Sequence, residues 1–217
     1  GIFSDDHLPG LSDLARLVRR SGALPGIQLH HAGGKTNREN TYGLTPLVPS
    51  RLSDKDEVEA LTGEGIQEII DAFVIGAERA VQAGFDLIEL HGAHGYLGAQ
   101  FLSPITNRRT DKWGGTPEKR RRFLLELVAR VRERIGTKTL LSVRLGVAEG
   151  AEGGLTIDEG VATARALEDA GLDLLHVSHA GSAPEPLDPD VPFAPLLQLA
   201  KPVKESVKIP VIGIGGI

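Results

Sequence analysis

The feature that most constrains the fold is an internal repeat. Residues 77–93 (AERAVQAGFDLIELHGA) and residues 164–180 (ARALEDAGLDLLHVSHA) follow one plan. In each copy the end of a helical pattern is followed by Ala-Gly, an aspartate and a four-residue apolar run. Glycine commonly ends a helix because it adopts left-handed backbone angles without steric cost, and a short apolar run next to turn residues is typical of a buried strand. The repeat therefore predicts a chain that steps from helix to buried strand.

The same alternation extends over the rest of the chain. Apolar stripes predict helices at 66–81 and at 123–135, the second with Thr116-Pro117 as its start. A Thr156/Glu159 capping box predicts the start of a third helix. Weaker patterns lie at 11–20 and at 195–207, and Pro202 interrupts the latter. Short apolar runs predict five strands, at about 26–30, 87–91, 140–145, 173–177 and 210–214. Strands that alternate with helices predict an α/β domain with a parallel sheet.

The polar residues of these strands favour a (β/α)8 barrel over an open doubly wound sheet. A parallel sheet covered by helices on both faces is almost wholly apolar, and no G-x-G-x-x-G follows a first strand. Here polar side chains recur at every second position, which places them on one face; the pairs are Gln28/His30, Glu89/His91, Ser142/Arg144 and His176/Ser178. Such a face suits a barrel interior that holds a polar ligand.

A barrel needs eight strands, and the pattern shows about five. The chain contains no Met and ends on the apolar run PVIGIGGI. We therefore expect residues 1–217 to be one partial barrel domain, an internal piece that lacks the first two strands and the last.

Composition excludes several classes of protein. The net charge is −5 and no basic stripe is present, which argues against a nucleic-acid partner. No apolar run reaches transmembrane length and no secretory signal is visible, so a cytoplasmic protein is expected. Cysteine is absent, which removes disulfides, thiolate metal sites and cysteine nucleophiles.

The candidate site lies at the carboxyl ends of the predicted strands, where barrels build their active sites. Six of the seven histidines fall there: His30, His31, His91, His94, His176 and His179. The stretch LIELHGAHGYLG places His91, His94 and Tyr96 directly after a buried strand. Three interpretations stay open on these residues alone: hydrogen-bonded structural histidines, metal ligands, or two imidazole donors to one carbonyl oxygen with Tyr96 as the acid.

The residues also carry a family resemblance. The segment HGAHGYLGAQFLSPITNRRTDKWGG (91–115) resembles the signature of the old yellow enzyme family of FMN-dependent ene-reductases. Further segments that resemble the family are GIFSDDHLPGL (1–11), IQLHHAGGK (27–35), GLTPLVPS (43–50), SVRL (142–145) and PVIGIGG (210–216). The resemblance therefore runs almost from end to end.

This resemblance implies a (β/α)8 barrel with FMN at its mouth and NADPH or NADH as the reductant. It implies hydride transfer through the flavin to the β-carbon of an α,β-unsaturated carbonyl compound. By similarity, His91 and His94 hold the carbonyl oxygen and Tyr96 protonates the α-carbon. The substrate is then a small-molecule enone; no metal is implied, and a homo-oligomer is compatible with the resemblance.

The resemblance also assigns residues to the cofactor. Gln28 would bond the flavin pyrimidine ring, Arg144 would lie near its N1–C2 edge, and Gly215 and Gly216 would lead into the phosphate site. The alternatives are that Arg144 pairs with Glu89 and that Gln28 is an ordinary interior amide.

One structural expectation and two alternative functions accompany these assignments. Arg109 and Asp111 are expected to form an ion pair that orders a loop. Two other functions stay open: a metal-dependent barrel hydrolase using the strand-end histidines, and an inactive barrel fragment without cofactor.

Overall fold

The computed structural model describes residues 1–190 and 194–215. A 3-10 turn at Asp5–His7 leads into the first of six helices, α1 Leu8–Arg20, α2 Gly63–Gln82, α3 Leu97–Leu102, α4 Pro117–Ile135, α5 Ile157–Asp169 and α6 Pro195–Ser206. The strands of the same region are β1 Gly26–Leu29, β2 Leu47–Val48, β3 Glu59–Ala60, β4 Leu87–Gly92, β5 Leu140–Gly146, β6 Leu174–Ser178 and β7 Val211–Gly213.

The main sheet contains the five predicted strands in the order β1-β4-β5-β6-β7, and every neighbouring pair is parallel. The order of these five strands across the sheet is the same as their order along the chain, as in the wall of a (β/α)8 barrel. The α/β class and the parallel sheet are confirmed.

The register places the polar residues side by side. Gln28 pairs with Glu89, and Glu89 in turn with Ser142. Two residues further toward the carboxyl ends of the strands, His91 pairs with Arg144, and Arg144 pairs with His176. The alternating apolar residues lie against the helices and are fully buried: Ile88, Leu90, Val143, Leu145 and Val177. The sheet therefore has an apolar outer face and a polar inner face, as the alternation predicted.

Local signals set the helix ends. Thr116 caps α4, with Pro117 in its first turn. Thr156 and Glu159 form the predicted capping box of α5, in which each side chain satisfies a backbone N–H that the helix leaves free. The weaker helix predicted at 195–207 is confirmed as α6, which continues through Pro202 without interruption.

The elements that were not predicted are the 3-10 turn at Asp5–His7, α3, and the two strands β2 and β3, which form a separate parallel sheet. Arg109 holds the loops around this small sheet, since its Nη1 donates to the carbonyl oxygens of Pro49 (2.9 Å) and Leu61 (2.6 Å). Its Nη2 lies 2.6 Å from a carboxylate oxygen of Asp111. The predicted loop-ordering ion pair is confirmed. Within the described residues, no helix combines the length and apolar character needed to cross a membrane.

Candidate active site

The turn after β4 brings together the three candidate residues of the LIELHGAHGYLG stretch, His91, His94 and Tyr96. His91 is the penultimate residue of β4, and His94 follows in the left-handed backbone region with φ 57°. The ring centroids of His91 and His94 are 5.1 Å apart, and those of His91 and Tyr96 are 5.0 Å apart. A left-handed backbone is uncommon for a residue with a Cβ and is found at functional turns. The structure brings the predicted trio together.

The two imidazoles are linked to each other and to the protein. The Ala93 N–H donates to His91 Nδ1 at 3.1 Å. His91 Nε2 and His94 Nδ1 are 3.3 Å apart, and His94 Nε2 lies 2.8 Å from Ser178 Oγ. Each ring is therefore held by a backbone or hydroxyl partner, with one nitrogen facing the other ring.

Both rings are neutral at physiological pH. Burial is the main cause that lowers the pKa of His91 to about 4, followed by the charges of His94 and Arg144. Burial also leads in lowering the pKa of His94 to about 4, with Arg144 next. A neutral imidazole carries one N–H donor, so the pair offers donors without a positive charge.

Tyr96 has two neighbours that the sequence did not reveal. The ring of His30 stacks on it with centroids 5.2 Å apart and planes 16° from parallel. The ammonium of Lys35 lies 6.0 Å from the centre of the Tyr96 ring. Lys35 comes from the loop after β1, and only the folded chain brings it to the motif after β4.

Glu89 is the centre of the polar inner face. Its carboxylate accepts from Gln28 Nε2 at 2.6 Å and from Ser142 Oγ at 3.1 Å, and it lies 3.1 Å from His176 Nδ1. Burial raises the pKa of this carboxyl, but the hydrogen bonds from His176 and Gln28 outweigh it and the pKa is lowered overall. The residue parity placed Glu89 on this face but did not identify its partners.

Arg144 does not pair with Glu89, contrary to the alternative considered from sequence. Its Nε is buried without a hydrogen-bond partner among the described residues, and His176 Nε2 is also buried and unpartnered there. Gln28 is exposed on the same face; its amide nitrogen donates to Glu89, which leaves its amide oxygen facing outward. Buried polar atoms normally have partners. A flavin ring fits here, because its pyrimidine edge offers acceptors to a guanidinium and an N–H to an amide oxygen.

The remaining strand-end histidines have local partners. His31 Nδ1 accepts from the Gly33 N–H at 3.1 Å, and burial followed by the charge of His30 lowers the pKa of His31. His179 Nδ1 donates to the Gly181 carbonyl at 3.0 Å. Residues 1–190 and 194–215 contain no group of three or more His, Asp or Glu side chains that could hold a metal ion. His31 and His179 each hydrogen-bond to the backbone of a glycine two residues further along the chain.

Of the two glycines expected near the phosphate, only Gly215 falls within the described residues. Gly215 follows β7 with φ +94°, a conformation that favours glycine. Gly216 lies outside the described residues. The phosphate role of both residues remains a proposal.

A one-way parallel series of strands with a polar site at their carboxyl ends defines an enzyme of the (β/α)8-barrel class. Comparison with known protein families narrows this class, because the family described as "NADH:flavin oxidoreductase / NADH oxidase family" matches residues 1–217. The chain belongs to this family. FMN is the flavin of the family, and NADH or NADPH is its reductant.

Relatives of known name support the same assignment. An NADH oxidase of Thermoanaerobacter brockii is 44% identical over 223 residues, which cover all of this chain and 34% of that protein. An NADPH dehydrogenase of Geobacillus sp. (strain WCH70) is 44% identical over 185 residues, which cover 85% of this chain and 53% of that protein. The chain thus spans between about a third and about half of the length of these two relatives.

A solved structure supports the fold. The old yellow enzyme homologue of Zymomonas mobilis matches with a TM-score of 0.79 and 25% identity, over 97% of this chain and 62% of that one. The resemblance to the old yellow enzyme family and the partial (β/α)8 barrel are confirmed.

Proposed function

We propose that the protein is an FMN-dependent ene-reductase, which uses NADPH or NADH to reduce the alkene of a small α,β-unsaturated carbonyl compound. One observation carries the proposal. Two neutral imidazoles, with nitrogens 3.3 Å apart, lie beside a phenol and close to a buried guanidinium nitrogen that has no partner in the described chain. That arrangement suits a carbonyl oxygen and a flavin ring bound next to each other.

The protein's part of the reaction is electrostatic and positional. When bound, FMN supplies the hydride chemistry, passing hydride from the nicotinamide to the β-carbon. His91 and His94 donate hydrogen bonds to the carbonyl oxygen, where negative charge develops. Tyr96 supplies the proton to the α-carbon as a general acid. Because both imidazoles are neutral, they polarise the alkene without protonating the oxygen.

The inner face of the sheet would hold the cofactor. Arg144 supplies a fixed positive charge, which favours the anionic reduced flavin. Gln28 presents its amide oxygen because Glu89 binds its nitrogen. Gly215 and Gly216 would provide backbone N–H groups for the phosphate. Small molecules are the partners this proposal requires, in a cytoplasmic protein, and a homo-oligomer is compatible with it.

The cofactor assignment is tested on the full-length protein as purified. We expect a yellow preparation with a flavin absorption band and about one FMN per chain after denaturation. Metal analysis on the same sample separates this proposal from the hydrolase alternative. Stoichiometric zinc or manganese without flavin would refute the proposal, and a colourless protein that takes up no added FMN would support the inactive barrel.

The role of the histidine pair is tested by ligand titration. His91→Ala and His94→Ala each remove a donor to a partly charged oxygen, so each should weaken the binding of phenol by roughly 1.5–3 kcal/mol. The flavin spectrum reports binding. His7→Ala is the matched control, because the His7 ring contacts Ser4 and Phe3 and neither His91 nor His94. Unchanged affinity in both site variants would make the pair structural.

A further inference from the structure

We infer that Ser178 is a positioning residue that allows His94 to change ring tautomer, so that His91 and His94 can donate together to one ligand oxygen. The inference rests on the proposed function, since it assumes that such an oxygen binds between the two rings. It follows from the direction of three linked hydrogen bonds.

The backbone fixes the tautomer of His91. The Ala93 N–H can only donate, so His91 Nδ1, 3.1 Å away, must be the acceptor. In the neutral ring the proton is then on Nε2. His91 therefore points an N–H toward His94 Nδ1, at 3.3 Å.

No backbone group fixes the tautomer of the His94 ring. Without a ligand, His94 Nδ1 accepts from His91, so the proton of His94 is on Nε2 and donates to Ser178 Oγ at 2.8 Å. To donate to a ligand oxygen alongside His91, His94 must instead carry its proton on Nδ1. Its Nε2 then needs a donor. A serine hydroxyl can accept in the first state and donate in the second, because its hydrogen rotates about the C–O bond.

The neighbours of His94 hold its ring in place and disfavour its protonation, which would be the other way to obtain a donor at Nδ1. Ser178 is 1% exposed at the end of β6. The backbone N–H of His94 donates to the His179 carbonyl at 3.0 Å, which keeps its ring against that strand end. A protonated His94 would also offer two donors, but burial and the charge of Arg144 lower its pKa to about 4. Tautomer exchange is therefore the way for His94 to become a donor at Nδ1 at neutral pH.

The tautomers can be observed directly. The full-length FMN-loaded protein, labelled with ¹⁵N in its histidines, is recorded by long-range ¹H–¹⁵N NMR with and without phenol. We expect His91 as the Nε2–H tautomer in both spectra. His94 should change from Nε2–H to Nδ1–H when phenol binds. A His94 ring that keeps one tautomer in both spectra would overturn the inference.

A matched pair of variants isolates the hydroxyl. Ser178→Thr and Ser178→Val introduce side chains of nearly one shape, and only threonine keeps the hydroxyl. We expect Ser178→Val to bind phenol about tenfold more weakly than Ser178→Thr, the usual worth of one hydrogen bond, and to show no complete tautomer change. Equal affinity in the two variants would overturn the inference. If the extra methyl prevents folding, Ser178→Ala is compared with the parent by the same criterion.

Two controls separate the possible failures. Ser103→Ala removes another hydroxyl that is 1% exposed and bonds Glu149 instead of a site residue, so it should leave the tautomer change intact. If His91→Ala and His94→Ala do not weaken phenol binding, the proposed function fails. If they weaken binding while Ser178→Val does not, only the role of Ser178 fails.

Discussion

At the residue scale, Tyr96 gives the most discriminating test of the proposed chemistry. Tyr96→Phe keeps the ring that stacks on His30 and removes only the hydroxyl. Reduction of the flavin by NADPH does not need that proton, so its rate should persist. Reoxidation by an enone such as 2-cyclohexenone needs it, and should slow by about 10²–10⁴-fold, the usual worth of general acid catalysis. Stopped-flow absorbance on full-length protein measures the two half-reactions separately. Equal rates in variant and parent would remove Tyr96 from the mechanism.

The lowered pKa values of His91 and His94 predict how stability depends on pH. Both groups have a pKa of about 4 in the folded chain against 6.5 for the free side chain. Above about pH 6.5 both rings are neutral in both states. Between about 6.5 and 4 the unfolded chain binds more protons, so stability falls as the pH falls. Urea unfolding at pH 7 and pH 5 should show this loss, and His91→Asn should reduce it. If the free energy of unfolding of the parent rose from pH 7 to pH 5 and that of the variant did not, the predicted direction of the pH dependence would be wrong.

The sequence identified the residues of the site but not all of their neighbours. His91, His94 and Tyr96 lie within six positions in one motif, so local reading was sufficient. Ser178 and Lys35 are brought to that motif from other strand ends by the parallel register, which depends on the whole sheet. A contact that depends on three strands at once has no local signal in a single sequence.

At the scale of elements, the helices with side-chain caps were predictable because a cap acts within one turn. The β2–β3 sheet was not, since its loops are held by Arg109 from more than 40 positions away in sequence. The short α3 was missed for a related reason. Its six residues are all buried and show no amphipathic stripe, so the period that identifies a helix is absent.

Arg120 joins three of these elements and provides a test of how they are held. It donates to the carbonyl oxygens of Leu102 (2.7 Å) and Gly115 (2.8 Å) and pairs with Glu159 of α5 at 2.7 Å. Arg120→Met leaves these acceptors unpaired in a buried place, so we expect a loss of about 3–5 kcal/mol in unfolding free energy. The neighbouring Arg121→Met is the control, because its partner Glu118 is exposed, and its loss should be much smaller. Urea denaturation of both variants gives the comparison, and equal losses would refute the assigned role.

At the scale of the whole molecule, the polar inner face couples folding to the cofactor. Its apolar outer face packs against the helices and supplies the core, whereas Arg144 and His176 keep buried nitrogens without partners in the described chain. Unpaired buried polar atoms lower stability. A ligand that pairs them binds the folded state alone, so it stabilises the protein by mass action. We therefore expect the family's cofactor to stabilise the fold as well as to supply the chemistry.

This coupling predicts opposite effects of one substitution on two forms of the protein. Arg144→Met keeps an unbranched side chain that reaches about as far as Nε, and it removes the guanidinium with the buried Nε that has no partner among residues 1–190 and 194–215. The FMN-free variant should therefore be more stable than the FMN-free parent in urea. In the parent, FMN at a hundred times its dissociation constant should add about 2.7 kcal/mol, and the variant should gain less because its affinity is lower.

Arg16→Met is the control for this pair of measurements, since Arg16 is a surface residue that pairs with Asp13 on α1. Arg16→Met should change the free energy of unfolding by no more than about 0.5 kcal/mol, with or without FMN. If FMN-free Arg144→Met is less stable than its parent, the guanidinium has partners of its own in the free protein. In that case the inner face is complete without FMN, and the stabilisation by cofactor must come from other contacts. If Arg144→Met is more stable than the parent without FMN and gains less stability from FMN, then Arg144 destabilises the cofactor-free fold and stabilises the complex with FMN. That result would assign the guanidinium to the ligand.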